Sequence, residues 1–102
     1  MIFVYITCHS RQEARKIGEA LIKEKLAACV NFWPIESVYR WAGKIVKDRE
    51  TVLIVKTLKK NFDKVEKKVK QLHSYQTPCI CAITITKANK KYFDWLKKEI
   101  KE

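Results

Sequence analysis

An α+β fold of the ferredoxin-like kind, in the order β-α-β-β-α-β with a long hairpin between its second and third strands and an added C-terminal helix, is predicted by three features of the sequence. Short runs rich in β-branched and aromatic residues alternate with segments whose apolar residues recur at helical spacing. A single glycine, Gly43, divides one long β-prone stretch into the two arms of a hairpin. No repeat, low-complexity tract or Pro/Gly-rich linker interrupts the 102 residues, so one antiparallel-sheet domain over 1–102 is expected.

Ile2 to Thr7 is a β-branched and aromatic run short enough for a buried strand. Ser10-Arg11-Gln12-Glu13 then has the form of a capping box, with the Ser10 hydroxyl accepting from the Glu13 amide and the Glu13 carboxylate returning to the Ser10 amide. Ala14, Ile17, Leu21 and Ile22 follow at helical spacing, which carries an amphipathic helix to about Lys25. Ala27 to Asn31 begins a second strand, and Pro34 within it calls for a bulge or an edge position where no amide donor is required. From Ser37 onward Tyr39 and Trp41 share one face and Val38 and Arg40 the other. Ala42-Gly43-Lys44 is the turn. Ile45 to Thr57 returns as the second arm, polar from Asp48 to Thr51 and apolar from Val52 to Val55. Asn61 to Leu72 is a second helix with Phe62, Val65, Val69 and Leu72 on one face and its lysines mainly turned away. Pro78 closes the loop after it, and Ile80 to Thr86 alternates as a last strand. Asn89 is placed to cap a final helix carrying Tyr92, Phe93, Leu96 and Ile100.

The composition excludes several classes of function. With glycines at 18 and 43 only, no glycine-rich phosphate loop can form. The apolar N-terminal run is too short for a secretion signal, and no stretch approaches the roughly 20 apolar residues of a membrane span. A cytoplasmic protein with reduced thiols at Cys8, Cys29, Cys79 and Cys81 is therefore expected. The formal charge of +11 attracts phosphates in principle, but it consists mostly of lysines scattered over helical faces. The same element order underlies RNA-recognition domains, so a basic nucleic-acid-binding module is the alternative function. Its third strand, Thr51 to Lys56, lacks the aromatic platform such domains carry, and nucleic acid is not the expected partner. No nucleophile turn, paired-carboxylate pattern or oxyanion loop is present, so no enzyme and no catalytic residues are expected.

Three segments carry a resemblance. The first is Glu24-Lys25-Leu26-Ala27-Ala28-Cys29-Val30-Asn31. The second is Ser37-Val38-Tyr39-Arg40-Trp41-Ala42-Gly43-Lys44-Ile45, continued by Asp48, Glu50 and Lys56-Thr57. The third is His73-Ser74-Tyr75-Gln76-Thr77-Pro78. In this order, and with Tyr92-Phe93-x-Trp95-Leu96 near the end, they resemble the CutA family of divalent-cation tolerance proteins over nearly the whole chain. The resemblance implies a homotrimer whose long hairpins extend the sheets across subunits. It also implies a role in divalent-cation response, copper especially, with binding or signalling through clefts between subunits and an architectural likeness to trimeric PII-type signalling proteins. Two positions depart from the family pattern. Ser74 stands where the family usually has proline, and Cys79 where it usually has glutamate. Sulfur in that place favours copper(I) or zinc over harder ions.

The candidate metal ligands are His73, Cys79 and Cys8. His73 is either an imidazole ligand or a group that suits the end of the second helix. Cys8 ends the first strand and Cys79 opens the last, its antiparallel neighbour, so their sulfurs are expected to lie close, with His9 or His73 nearby; otherwise they are packing thiols. Cys81 shares a face with Cys79 by the period-two rule. Tyr39, Trp41, Lys44 and Tyr75 are expected to line an inter-subunit surface. Asp48, Glu50 and Lys56 are either a polar cluster in that cleft or simply solvated.

Overall fold

The computed structural model describes residues 1–100; the last two residues of the expected 1–102 domain lie outside the described residues. Seven main elements run β1 (Ile2–Cys8), α1 (Arg11–Lys23), β2 (Cys29–Trp41), β3 (Lys44–Thr57), α2 (Phe62–Leu72), β4 (Ile80–Thr84) and α3 (Lys90–Glu99). The strands form one antiparallel sheet in the order β2-β3-β1-β4. The ferredoxin-like architecture read from the sequence is the architecture of the chain.

The sheet has one covered and one open face, and parity along each strand assigns every residue to one of them. Ile2, Val4, Ile6 and Cys8 of β1 join Leu53 and Val55 of β3 against Ala14, Ile17 and Leu21 of α1 and Val65 and Val69 of α2. This is the core, and its members are nearly all inaccessible to solvent. Phe3, Tyr5 and Thr7 point the other way, beside Cys81 and Ile83 of β4 and Val52 and Ile54 of β3.

Helix α1 starts where its capping residue allows. The Ser10 Oγ accepts from the Glu13 amide at 3.1 Å. The reciprocal half of the capping box is different from the expected one: Glu13 Oε1 accepts from the His9 amide at 2.9 Å rather than from Ser10. At the other end Lys25 takes a left-handed φ of 57°. The Lys25 amide then bonds to the Ile22 carbonyl and the Leu26 amide to that of Leu21, the two bonds of a Schellman motif. Asn89 does precede α3, but its side chain makes no capping bond.

Gly18 sits where α1 approaches β2 most closely: a Cβ added there meets Val30 Cγ2 at 2.8 Å. Alanine helps a helix interior by about 1 kcal/mol over glycine. The stiff, β-branched Val30 cannot yield freely, and overpacking costs about 1–3 kcal/mol. Gly18→Ala is therefore expected to lower stability by about 1 kcal/mol, and Gly18→Ala with Val30→Ala to show positive coupling in a denaturation double-mutant cycle. A single variant more stable than the parent contradicts the close approach.

The β2–β3 hairpin outgrows the sheet. β1 pairs with β3 only as far as Cys8 opposite Thr51, so residues 36–49 pair with nothing but each other. Pro34 stands opposite Thr51 on the outer strand, in plain register and without a bulge, where its missing amide is not called on. The arm closes through Ala42 at φ 50° and Gly43 at φ 77°, the paired positive values of a type I′ turn. It stretches the molecule to 45 Å in its longest dimension. β4 is shorter than expected, ending at Thr84 instead of Thr86, because its partner β1 begins at Ile2; the Ile85 amide makes one last bond to the Met1 carbonyl.

Candidate functional site

Two groups of polar side chains flank the end of β1, one on each face of the sheet. On the helix side Cys8, Glu13 and His73 place one donor atom each within 4.8 Å of one another. On the open face the loop after α2 arches over the base of the arm and leaves a cleft of about 640 Å³.

Two members of the helix-side trio, Glu13 and His73, are already engaged, and the third, Cys8, is buried in the core. The His73 side chain is inaccessible to solvent. Its Nε2 lies 2.8 Å from the Thr7 carbonyl and its Nδ1 accepts from the Tyr75 amide at 3.0 Å. The Thr7 carbonyl can only accept, so the neutral Nε2–H tautomer satisfies both contacts. Glu13 accepts from the His9 amide with one oxygen and from the Ser74 amide at 3.0 Å with the other. Burial opposes its ionisation, but the amides of His9 and Ser74 together hold the carboxyl below its usual range. Burial, reinforced by Glu13 and Glu50, pushes the Cys8 thiol up to about 12. As a mixed sulfur, nitrogen and oxygen set the trio suits zinc or copper in kind. A cation there has to displace a proton from Cys8 and at least one backbone partner from His73. The trio ties α1, the end of β1 and the 73–75 loop together.

The open-face cleft is lined by Ser37, Tyr39, Trp41, Asp48 and Glu50 of the arm, Thr7 of β1, and Tyr75, Thr77 and Cys79 of the loop. Glu50 is buried despite its charge, and Tyr75 Oη donates to its Oε2 at 2.6 Å. Burial first, then this bond and the neighbouring carboxylates raise the Tyr75 phenol above its ordinary range. Burial, the Cys81 thiol and Glu50 likewise raise the Cys79 thiol. The cleft therefore offers two carboxylates, two phenols and a thiol, and its phenols and thiol are favoured in their neutral forms.

Tyr39, Trp41, Glu50 and Tyr75 line one cleft within the chain, with Asp48 beside them. Lys44 stays at the tip of the arm and Lys56 leaves the cleft altogether. Six residues beyond Glu50, about 20 Å along the strand, Lys56 holds its ammonium 5.3 Å from the ring centroid of Phe3 and 5.7 Å from that of Tyr92. The expected pairing of Cys8 with Cys79 does not form. Cys8 follows Ile6 into the core, whereas Cys79 lines the open-face cleft with Thr7. One residue decides this, because adjacent strand positions face opposite ways. The sequence reading missed Glu13 as a donor beside Cys8 and His73; its capping pattern gave the only signal, and that accounted for it locally.

Comparison with known proteins places this geometry. The sequence pattern of the CutA1 divalent ion tolerance protein family matches residues 2–99. The divalent-cation tolerance protein CutA of Archaeoglobus fulgidus is 47% identical over 98 residues, covering 96% of each chain. That of Thermus thermophilus is 47% identical over 92% of each chain. The solved A. fulgidus structure, described as a periplasmic divalent cation tolerance protein, superposes with a TM-score of 0.96 at 46% identity, over 99% of this chain and 100% of that one. The crystal structure of CutA1 from Pyrococcus horikoshii superposes with a TM-score of 0.96 at 35% identity over the whole of both chains. With the match running through the sheet, both helices that cover it and the loop over the cleft, the chain belongs to the CutA1 family of divalent-ion tolerance proteins.

Proposed function

We propose that this divalent-cation tolerance protein works as a homotrimer that takes up copper or another divalent metal ion in clefts between subunits, and that it responds by binding or signalling rather than by catalysis. The observation that carries the assembly is the bare apolar surface of a single copy. Trp33, Val38, Tyr39, Trp41, Ile45 and Ile83 are between 40% and 69% exposed, on the open face and the arm. Patches of that kind mark contacts, and a second and third copy of the same chain bring matching surfaces. The arm is long enough to reach beyond its own sheet.

A cation is supported by the donors in the cleft, by the tolerance role named for the relatives and by the acidic character of Asp48 and Glu50. The same two carboxylates repel phosphates and so argue against a nucleic-acid-binding module. None of the described helices is long and apolar enough to cross a membrane. We place the working protein in the cytoplasm, where its thiols stay reduced.

Native mass spectrometry of the reduced protein, titrated with copper(I) and with zinc, tests both halves. The expected result is a trimer that takes up ions in whole equivalents per subunit. A monomer at micromolar concentration overturns the assembly, and a trimer that binds no ion in excess of metal overturns the cation role.

A further inference from the structure

Cys79 and Cys81 stand two residues apart at the start of β4, on the open face, with their Sγ atoms 3.9 Å apart. Free cysteine is among the most buried residue types, yet Cys81 is exposed and Cys79 only half buried. Neither belongs to the subunit's own core. Cys79 lines the cleft, and Cys81 lies one alternate position further along the same face, opposite Tyr5. No disulfide is formed by any of the four cysteines.

We propose that Cys79 and Cys81 form a two-sulfur chelate for a thiophilic cation of the zinc or copper(I) class at the rim of the cleft. The geometry suits the ion as it stands. With metal–sulfur bonds of about 2.3 Å, an ion equidistant from sulfurs 3.9 Å apart subtends an angle of about 116°. That is close to tetrahedral or trigonal coordination and leaves positions open toward the cleft. The strand fixes both Cβ atoms on one side, so little backbone freedom is lost when the ion bridges them. Binding requires both thiols to ionise: one cation enters and up to two protons leave, with no change of oxidation state. Glu50, which lines the same cleft as Cys79, supplies negative charge on the side from which the ion enters. The core trio of Cys8, Glu13 and His73 has none of this freedom, since Glu13 and His73 already hold partners and Cys8 is sealed in the core.

The chelate rests on the cation role proposed above but not on the trimer. It is tested by titrating the reduced full chain with zinc chloride, and with cadmium chloride followed by ultraviolet thiolate-to-metal charge-transfer absorbance. Magnesium chloride is the hard-ion control. Cys79→Ser and Cys81→Ser are each expected to weaken zinc binding by about a hundredfold, the advantage a second tethered donor gives. Both should abolish the charge-transfer band, while Cys29→Ser leaves band and affinity unchanged. Zinc should slow alkylation of Cys79 and Cys81 together and leave that of Cys29 unaltered. Zinc affinity retained in the Cys79→Ser/Cys81→Ser double variant overturns the chelate while leaving the cation role standing. A wild-type chain that binds neither zinc nor cadmium overturns both.

Discussion

If the proposed trimer forms through the arm, Trp41→Ala is expected to shift it toward monomer at micromolar concentration without unfolding the subunit. Trp41 sits at the last position of β2, is 53% exposed in a single copy and touches none of the core. A partner that covers the exposed half of an indole removes about 100 Å² from water, which is about 2–3 kcal/mol per subunit. With three such contacts in the proposed trimer, the association equilibrium should fall by several orders of magnitude. Sedimentation velocity across a dilution series reads the change, and far-ultraviolet circular dichroism checks that the subunit fold persists. A Trp41→Ala protein that remains a trimer at low micromolar concentration rejects the arm as an assembly surface.

Glu13→Ala is expected to lower subunit stability by about 2–3 kcal/mol, because two backbone amides lose a charged acceptor. One of these is the neighbouring His9; the other, Ser74, lies in the loop over the cleft, 61 residues away in the chain. The loss carries its own pH signature. The native carboxyl is held below its ordinary value, so its stabilisation is complete above that ordinary value and disappears as pH falls through the lower native one. Urea denaturation of the wild type and of Glu13→Gln should therefore differ at pH 7 and converge in acid. A gap that is the same at both pH values assigns the effect to packing and removes the charge from the account.

How far the sequence could be read follows from how far each interaction reaches along the chain. Strand and helix order, the turn at Gly43 and the Ser10 cap rest on residues within a few positions of each other, and periodicity exposes them. The cleft was legible in part because Tyr39, Trp41 and Glu50 belong to one hairpin, whose alternation puts them on one face. What the sequence hid was long-range or rested on parity. Tyr75 reaches Glu50 across 25 residues and His73 reaches the Thr7 carbonyl across 66. Neither partner leaves a periodic trace. Placing Cys8 at the end of the first strand did not by itself fix its face, and its parity with Ile6 puts it in the core rather than in the cleft. Gly18 gave no signal either, since a glycine inside a helix shows only a weakened propensity, not the valine that crowds it.

The outgrown hairpin also bears on how the chain survives before it meets its partners. A newly made copy carries Val38, Tyr39, Trp41 and Ile45 uncovered on an exposed two-stranded ribbon, the kind of segment that seeds aggregation. Arg40, Lys44, Lys47 and Arg49 are interleaved with these side chains along the same ribbon. Basic residues in that position act as gatekeepers, because two arms that meet out of register bring like charges together. Against a formal charge of +11 for the whole chain, stray encounters between copies are repelled at long range. The lysine surplus thus has a use that requires no polyanion: it leaves correct docking, where apolar surface is covered quickly, as the encounter that wins.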